Sequence, residues 1–503
     1  MEGLMATKNP RINPSRPAQL SKSRVMAHLQ CPKRLWLQTY QPELAEEDDR
    51  AQAQMSAGNK VGEVARELYP GGVLIDGENL SKACLDTERA LADPSRPVFE
   101  ATLKHDGVLV RADLLLPEKK AWRLVEVKSS TSVKEYHYAD AAIQTWVIKG
   151  AGVRVDRTEL AHIDSSFVYP GGGDYRGLLK HVNVTEEVRD LQRKIPEWVE
   201  TARLTLAGDE PTIEPGEQCE TPYTCPFFAH CNKEDVGEEQ RYPVELLHRN
   251  RRLAASLREQ GYDDLREVPQ SALNNAVHQR MWRVAQSGRP ELDPGAKDAL
   301  KDLPYPRYYL DFETLQFALP IWAGTRPYAQ IPMQWSCHVE KRPGELEHHA
   351  FLAESTEDPQ RAFAETLVSV LGEEGPIFVY NIAFERTRIR ELADRFSDLS
   401  GAFDAVNSRL VDLYPITVAN YYHPAMNGSW SLKAVLPTIA PELSHEDLTI
   451  SNGDMAQEGL RAQLDPELPA AERLEIRQAL LEYCKRDTLA LVELARFIQG
   501  HET

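Results

Sequence analysis

The chain has 503 residues, a hydrophobic share of 42% and a formal net charge of −19. At roughly 150 residues per unit, that length suggests about three folding units or two large ones, and the acidity argues against a protein that coats nucleic acid through charge alone. No apolar run reaches the roughly 18 residues of a membrane span, and the polar, basic start lacks a signal peptide's apolar stretch, so no membrane partner and a cytoplasmic location are expected.

The charge is unevenly spread. Residues 1–40 carry Lys8, Arg11, Arg16, Lys22, Arg24, Lys33 and Arg34 against Glu2, and residues 1–18 read as a basic tail. A second basic strip is HRNRRLAASLR, 248–258. Local basic strips in an acidic chain suit phosphate contacts beside carboxylate sites, and they equally suit solvated faces.

Residues 19–235 read as a mixed α/β domain. SKSRVMAHLQCPKRLWLQ has the apolar spacing of an amphipathic helix, with Ser21 or Ser23 as its cap. VFEATLKHDGVLVRADLLLP and AWRLVEVKSS read as strands, and YADAAIQTWVIKGAG as a helix ending at glycine. Residues 236–303 read as a helical connector, with turns at Gly261 and Pro269, and LREQGYDDLREVP has some look of a helix-hairpin-helix. Residues 304–503 begin again as α/β: RYYLDFETL, PMQWSCHVE, HHAFLAE and PIFVYNIAF read as strands, 359–371 and ERTRIRELADRF as helices, and 469–498 as a long final helix.

Two constellations carry chemistry. In the first, Asp113 lies on one strand, while Glu126 and Lys128 lie two apart on the next and so share a face. An Asp and a Glu on adjacent strands can hold a divalent metal through oxygen, and a neighbouring ammonium can orient water or balance charge. In the second, Asp311 and Glu313 are two apart on an apolar strand, Glu385 ends a second buried strand at YNIAFE, and Tyr483 and Asp487 are four apart on a helix face. Buried carboxylates without partners cost several kcal/mol, which metal ions offset. Asp412, in RLVDLYP, is a weaker candidate that fits a helix cap equally well.

Cysteine usage adds a third. Cys219, Cys225 and Cys231 are evenly spaced in QCETPYTCPFFAHC. A disulfide takes two thiols and a tetrahedral site takes four, and in a reducing compartment clustered cysteines more often bind metal or do catalysis. Cys84, Cys337 and Cys484 read as buried thiols, and His230 as a surface residue.

Ser21, Ser23, Cys31-Pro32, Asp113, EVK at 126–128, Gln144 and the late cysteines together make residues 20–235 resemble the RecB-like branch of the PD-(D/E)xK nucleases. That resemblance implies a restriction-endonuclease-like fold. Asp113 and Glu126 would be ligands of Mg²⁺ or Mn²⁺, Lys128 catalytic and Gln144 in contact with substrate. It also makes Cys31 the fourth ligand, beside Cys219, Cys225 and Cys231, of a [4Fe–4S] cluster. Here the late spacing is C-x5-C-x5-C, where relatives have C-x2-C-x5-C, and zinc is the rival occupant. Relatives also carry an early metal-binding histidine in G-x-x-x-H. GNKVGE puts Gly62 there, with Glu63 as the substitute.

Asp311-x-Glu313, Asn381-x-x-Phe384-Glu385 and Tyr483-x-x-x-Asp487, in that order, are similar to the DnaQ-like, or DEDD, exonucleases of the ribonuclease-H-like fold, with Glu385 where the family has Asp. The resemblance implies a two-metal phosphodiester site with Asn381 near the substrate. The whole arrangement, including DFET, PMQWS, YNIAFE, GSWSLKAVLP and YCKRDT, also resembles an uncharacterised bacterial family. The expected function is a metal-dependent nuclease acting on DNA strands or ends, 3′→5′ in the C-terminal domain, in repair or defence. The alternatives are a ribonuclease and a nucleic-acid-binding module with decayed sites. The sequence names no helicase or repair partner.

Overall fold

The computed structural model describes residues 19–46, 49–232, 242–354, 356–445 and 447–500. The expected tail, 1–18, and the expected boundary near 235 lie outside them. The chain is a mixed α/β protein whose residues gather into two units: Met1–Asp235 with Phe317–Tyr328, and Val236–Gln316 with Ala329–Thr503. Residues 236–303 thus group with the second unit. Among the described residues, no helix is long and apolar enough to cross a membrane.

Among the described residues, the first unit is built on seven strands: β1 (Leu20–Ser21), β2 (Val73–Leu74), β3 (Val98–His105), β4 (Val108–Glu118), β5 (Ala121–Lys128), β6 (Val155–Ile163) and β7 (Leu179–Asn183). Their order is β2-β3-β4-β5-β6-β7, with β1 beside β4. Asp106 and Gly107 turn the β3–β4 hairpin with φ of 41° and 69°, the left-handed pair that matches strand twist in a two-residue loop. β5 and β6 run parallel and need a crossover. The helix Glu135–Gly150 supplies it, burying Ala141, Ala142, Ile143, Val147 and Ile148. The same helix brings Asp140 and Gln144 to the end of β5 that carries Glu126 and Lys128.

The expected single N-terminal helix is two, Lys22–Gln30 and Pro32–Tyr40, broken at an extended Cys31 with φ −162° and ψ 120°. Pro32 is the cause: its ring disfavours helical geometry in the residue before it, yet suits the first position of a new helix. Ser21 caps the first helix, accepting from the Arg24 N–H at 3.3 Å. Phe317–Tyr328 supplies Ala318 to a small core with Val61, Val64, Ile163 and Leu178. Its Thr325 carbonyl accepts from the Tyr169 N–H at 3.0 Å, and the Tyr328 hydroxyl donates to the Ser129 carbonyl.

The second unit contains β8 (Glu291–Leu292), β9 (Arg307–Leu315), β10 (Ile331–Arg342), β11 (Glu345–Leu352), β12 (Ile377–Val379), β13 (Leu410–Asp412) and β14 (Tyr421–Tyr422). The main sheet has the order β11-β10-β9-β12-β13, and β8 pairs with β14. β9, β10 and β11 are antiparallel, whereas β12 joins β9, and β13 joins β12, in parallel. Alternation along β9 sends Tyr308, Leu310 and Phe312 into one core and Tyr309 into the other. By the same period, Asp311 and Glu313 share the Tyr309 face. That core also takes Leu491, Leu494 and Ala495 from the helix Ala470–Gln499. The buried β10 bonds to this helix through polar groups: Gln334 Nε2 donates to the Leu480 carbonyl at 2.9 Å, and His338 Nδ1 lies 2.8 Å from Thr488 Oγ1.

Two expectations are corrected here. PIFVYNIAF is a strand only over Ile377–Val379; Asn381 then takes φ 73° and the helix Ala383–Arg395 begins. Glu385 therefore sits in a helix's first turn and not at a strand's end. Residues 242–300 are less helical than expected, and LREQGYDDLREVP forms no helix pair. Its helix ends at Glu259, Gly261 turns at φ 89°, and the next α-helix starts at Ala276.

Candidate active site

In the second unit, β9 and the helix Ala470–Gln499 bring acidic groups together from opposite sides. Ligand atoms of Asp311, Glu313 and Cys484 all lie within 4.8 Å of one another. Asp311 and Glu313 are half-buried, and Tyr483 and Asp487 are buried. Burial raises the Asp311 carboxyl well above its ordinary range, and the charges of Asp487, Glu313 and Glu385 push it further. Glu313 is pushed up to about 8 by burial and by Asp487, with Lys433 opposing. Glu385 is 2% exposed and is also pushed up to about 8, by burial and by Asp412, with Arg388 opposing. Among the described residues, no Lys or Arg forms an ion pair with Asp311, Glu313 or Glu385. Glu385 Oε2 is buried without a hydrogen-bond partner. Like charges about 4 Å apart repel by several kcal/mol at an interior-like dielectric, so this cluster is short of positive charge. Asp311 and Glu313 offer hard carboxylate oxygens that suit a divalent cation, with the Cys484 thiol within reach of both.

Neighbouring groups tune the cluster. Tyr483 keeps its proton strongly, through burial and then the charges of Asp487, Glu313 and Asp311. The Lys433 ammonium lies 5.2 Å from the Tyr483 ring centroid. His445 Nε2 lies 3.0 Å from Asp487 Oδ1 without the alignment of a hydrogen bond. Asp412 is a cap: it accepts from the N–H groups of Tyr414, Asn381 and Ile382 at 3.0, 2.9 and 3.1 Å. Asn381 is exposed, its backbone held by that cap.

The first unit's cluster differs in its charge balance. Glu126 Oε1 accepts from Lys22 Nζ at 2.9 Å and Lys128 Nζ at 2.8 Å, and Oε2 accepts from Gln144. Asp140 pairs with the same two lysines, at 2.9 Å for Lys22. Asp113 Oδ2 accepts from the Val127 N–H at 2.7 Å. Burial raises the Asp113 carboxyl and Glu126 adds to this, while Lys22 and Lys128 oppose. Burial alone would lower both lysines; Asp140, Glu126 and Asp113 outweigh it and hold them charged. Glu63 is exposed on the helix Asp49–Glu67, and among the described residues no ion pair or hydrogen bond joins it to Asp113 or Glu126. With both oxygens of Glu126 and of Asp140 occupied by ammonium and amide groups, and Asp113 Oδ2 by a backbone N–H, this cluster does not fit a divalent ion in the arrangement seen.

All four cysteines of the expected set, Cys31, Cys219, Cys225 and Cys231, line one small cavity with Leu37, Phe227 and Arg34. Cys31 reaches it because the helix breaks there. The Cys225 N–H donates to the Cys219 carbonyl at 2.7 Å, closing the late loop. Burial raises the Cys225 and Cys231 thiols, and Arg34 and Lys33 respectively oppose it. The donor set, four thiols with cations nearby and apolar walls, fits a four-thiolate group. His230 is half-buried, with Nδ1 enclosed and unpartnered, not the surface residue expected. Cys84 is half-buried, whereas Cys337 and Cys484 are buried.

Residues 308–431 match a domain of unknown function (DUF2779). The match contains Asp311, Glu313, Glu385 and Asp412 and stops short of Tyr483 and Asp487. An uncharacterized protein of Mycoplasma genitalium, MG366, is 25% identical over 222 residues, 40% of this chain and 33% of its own length. Its Mycoplasma pneumoniae homolog is 25% identical over 235 residues, 41% of this chain and 34% of its own length. An uncharacterized Ureaplasma parvum protein, UU173, is 20% identical over 252 residues, 45% of this chain and 36% of its own length. The chain thus spans about a third of the length of these curated relatives.

Five residues at these centres escaped the sequence reading: Lys22, Asp140, Lys433, His445 and Cys484. Asp140 had a signal, since it lies four residues before Gln144 on one helix face. Cys484 was visible as the neighbour of Tyr483. Lys22, Lys433 and His445 reach their centres only through the fold.

Proposed function

We propose that this chain is a metal-dependent nuclease whose hydrolytic centre is Asp311, Glu313, Glu385 and Asp487, with Tyr483 beside them. The observation that carries this reading is the raised carboxyls of Asp311, Glu313 and Glu385, pushed up by burial first and by neighbouring carboxylates second, with no Lys or Arg ion-pair partner among the described residues. Asp311, Glu313, Asp487 and Glu385 would hold Mg²⁺ or Mn²⁺. A divalent ion there supplies the positive charge that a phosphodiester's transition state requires. Tyr483, which keeps its proton, donates a hydrogen bond to the attacking water or to a phosphate oxygen. Lys433, close to the Tyr483 ring, attracts the phosphate backbone. In this reading the second unit is ribonuclease-H-like and trims DNA from 3′ ends. The mixed sheet with the acidic strand β9 at its centre supports it.

The first unit is read as restriction-endonuclease-like, from the β4–β5 hairpin followed by the crossover helix. Cys31, Cys219, Cys225 and Cys231 would hold its iron–sulfur cluster, with zinc the alternative to be settled by metal analysis. To test the nuclease reading, end-labelled single-stranded DNA and RNA of one sequence are incubated with protein and Mg²⁺ or Mn²⁺. Removing one charge-stabilising group usually costs about 10²–10³ in rate, so Asp311→Asn should fall at least that far. A wild-type chain that cuts neither substrate in metal-replete, reducing buffer sinks the proposal.

A further inference from the structure

The first unit's cluster holds three carboxylates, and the second unit's holds four, yet they solve the same electrostatic problem differently. In the second, positive charge must come from outside. In the first, it is already present. Lys22 Nζ lies 2.9 Å from Glu126 Oε1 and 2.9 Å from Asp140 Oδ1, bridging a strand residue and a helix residue. Lys128 bridges the same two carboxylates from the other direction, and Gln144 closes the remaining Glu126 oxygen. Two unit charges against three carboxylates leave a small residual charge, which removes most of the drive to bind a divalent ion.

The position of Lys22 is fixed by its surroundings. It is the first residue of the helix Lys22–Gln30, capped by Ser21, and β1 pins the preceding residues to β4 at Leu20↔Val108 and Ser21↔Leu109. β4 also carries Asp113. The lysine is thus held at the helix's first position, directly after the strand β1 that pairs with the Asp113-bearing β4. Three separate elements converge on one ammonium, an arrangement that a surface lysine does not need.

We propose that Lys22 is the resident cation of this cluster: its ammonium occupies the position between Glu126 and Asp140 that a divalent ion would otherwise take, so the first unit holds its acidic cluster without metal. Lys22 is therefore a positioning residue. Glu63, the expected substitute ligand, is exposed and outside this ion-pair network among the described residues. The inference concerns the first unit alone and does not depend on whether the second unit cuts nucleic acid.

The test counts ions and does not read activity. The full chain carrying Asp311→Asn and Asp487→Asn, which weakens the second centre, is titrated with Mn²⁺, and free Mn²⁺ is counted by electron paramagnetic resonance. With Lys22 present, adding Glu126→Gln should leave the count unchanged. With Lys22→Met, one additional ion per chain should bind, and Glu126→Gln should remove it. Lys22→Gln, which keeps a hydrogen-bond donor without the charge, should give the same gain and serves if Lys22→Met melts early. An ion bound while Lys22 is present and lost on Glu126→Gln overturns the proposal. So does the absence of any gain in a folded Lys22 variant. Failure of the nuclease reading would leave these counts untouched.

Discussion

Substituting Glu385→Gln separates the cost of the second unit's acidic cluster from its use. Glu385 is 2% exposed, and its carboxyl rises from an ordinary 4.5 to about 8, through burial and then Asp412. A raised carboxyl keeps its proton in the folded chain while the unfolded chain has already lost it. This carboxyl's contribution to stability is therefore greatest below about pH 4.5 and is lost as pH rises toward 8. At about 1.4 kcal/mol per pH unit, the full loss has a ceiling of about 4–5 kcal/mol. Glutamine keeps the shape and never ionises, so in EDTA the variant should gain up to that amount on wild type at pH 8. The gain should vanish near pH 4. With Mg²⁺ saturating, it should shrink or reverse, because the carboxylate then has a partner. Urea unfolding at both pH values, with and without Mg²⁺, measures this. An equal gain at both pH values, or no gain at pH 8, refutes the account of Glu385 as a carboxyl in want of a cation.

Asp412→Ala removes the acceptor for three backbone N–H groups. It should cost about 1–2 kcal/mol or more, read as a lower unfolding midpoint, and Asp412→Asn should recover part of that. Cys31→Ala and Cys225→Ala should each abolish the proposed metal binding of the four-cysteine cavity and destabilise the first unit alike; a Cys31→Ala protein with wild-type metal content contradicts the shared site. Gly428→Ala should destabilise by more than about 1 kcal/mol, because Gly428 has φ 76° and an added Cβ would meet the Leu246 carbonyl oxygen at 2.5 Å; a circular-dichroism melt checks it.

Much of the candidate chemistry was legible because it lies on regular elements. Asp311 with Glu313, and Glu126 with Lys128, declare themselves by the period of a strand, and Tyr483 with Asp487 by that of a helix. What stayed hidden depends on geometry that no local pattern encodes. Glu385 was placed on a strand because YNIAF is apolar; Asn381 at φ 73° and the Asp412 cap turn the chain there into a helix instead. Lys22 lies 104 positions from Glu126, inside a strip that reads equally well as a solvated face. Pro32 could have announced the break at Cys31, but the apolar spacing on either side is continuous and masks it.

Phe317–Tyr328 has a practical meaning for anyone who wishes to isolate the first unit. A fragment ending near residue 235 would lack Ala318, Leu319 and Tyr328, which pack with Val61, Val64, Ile163 and Leu178. It would also lose the hydroxyl that donates to Ser129, one residue past Lys128. Such a fragment would display a bare apolar surface and self-associate, whereas adding the twelve-residue stretch as a separate peptide should restore a monodisperse species. The first unit is thus written in two places along the chain, and an insertion or deletion between residues 316 and 329 would register as a defect far upstream.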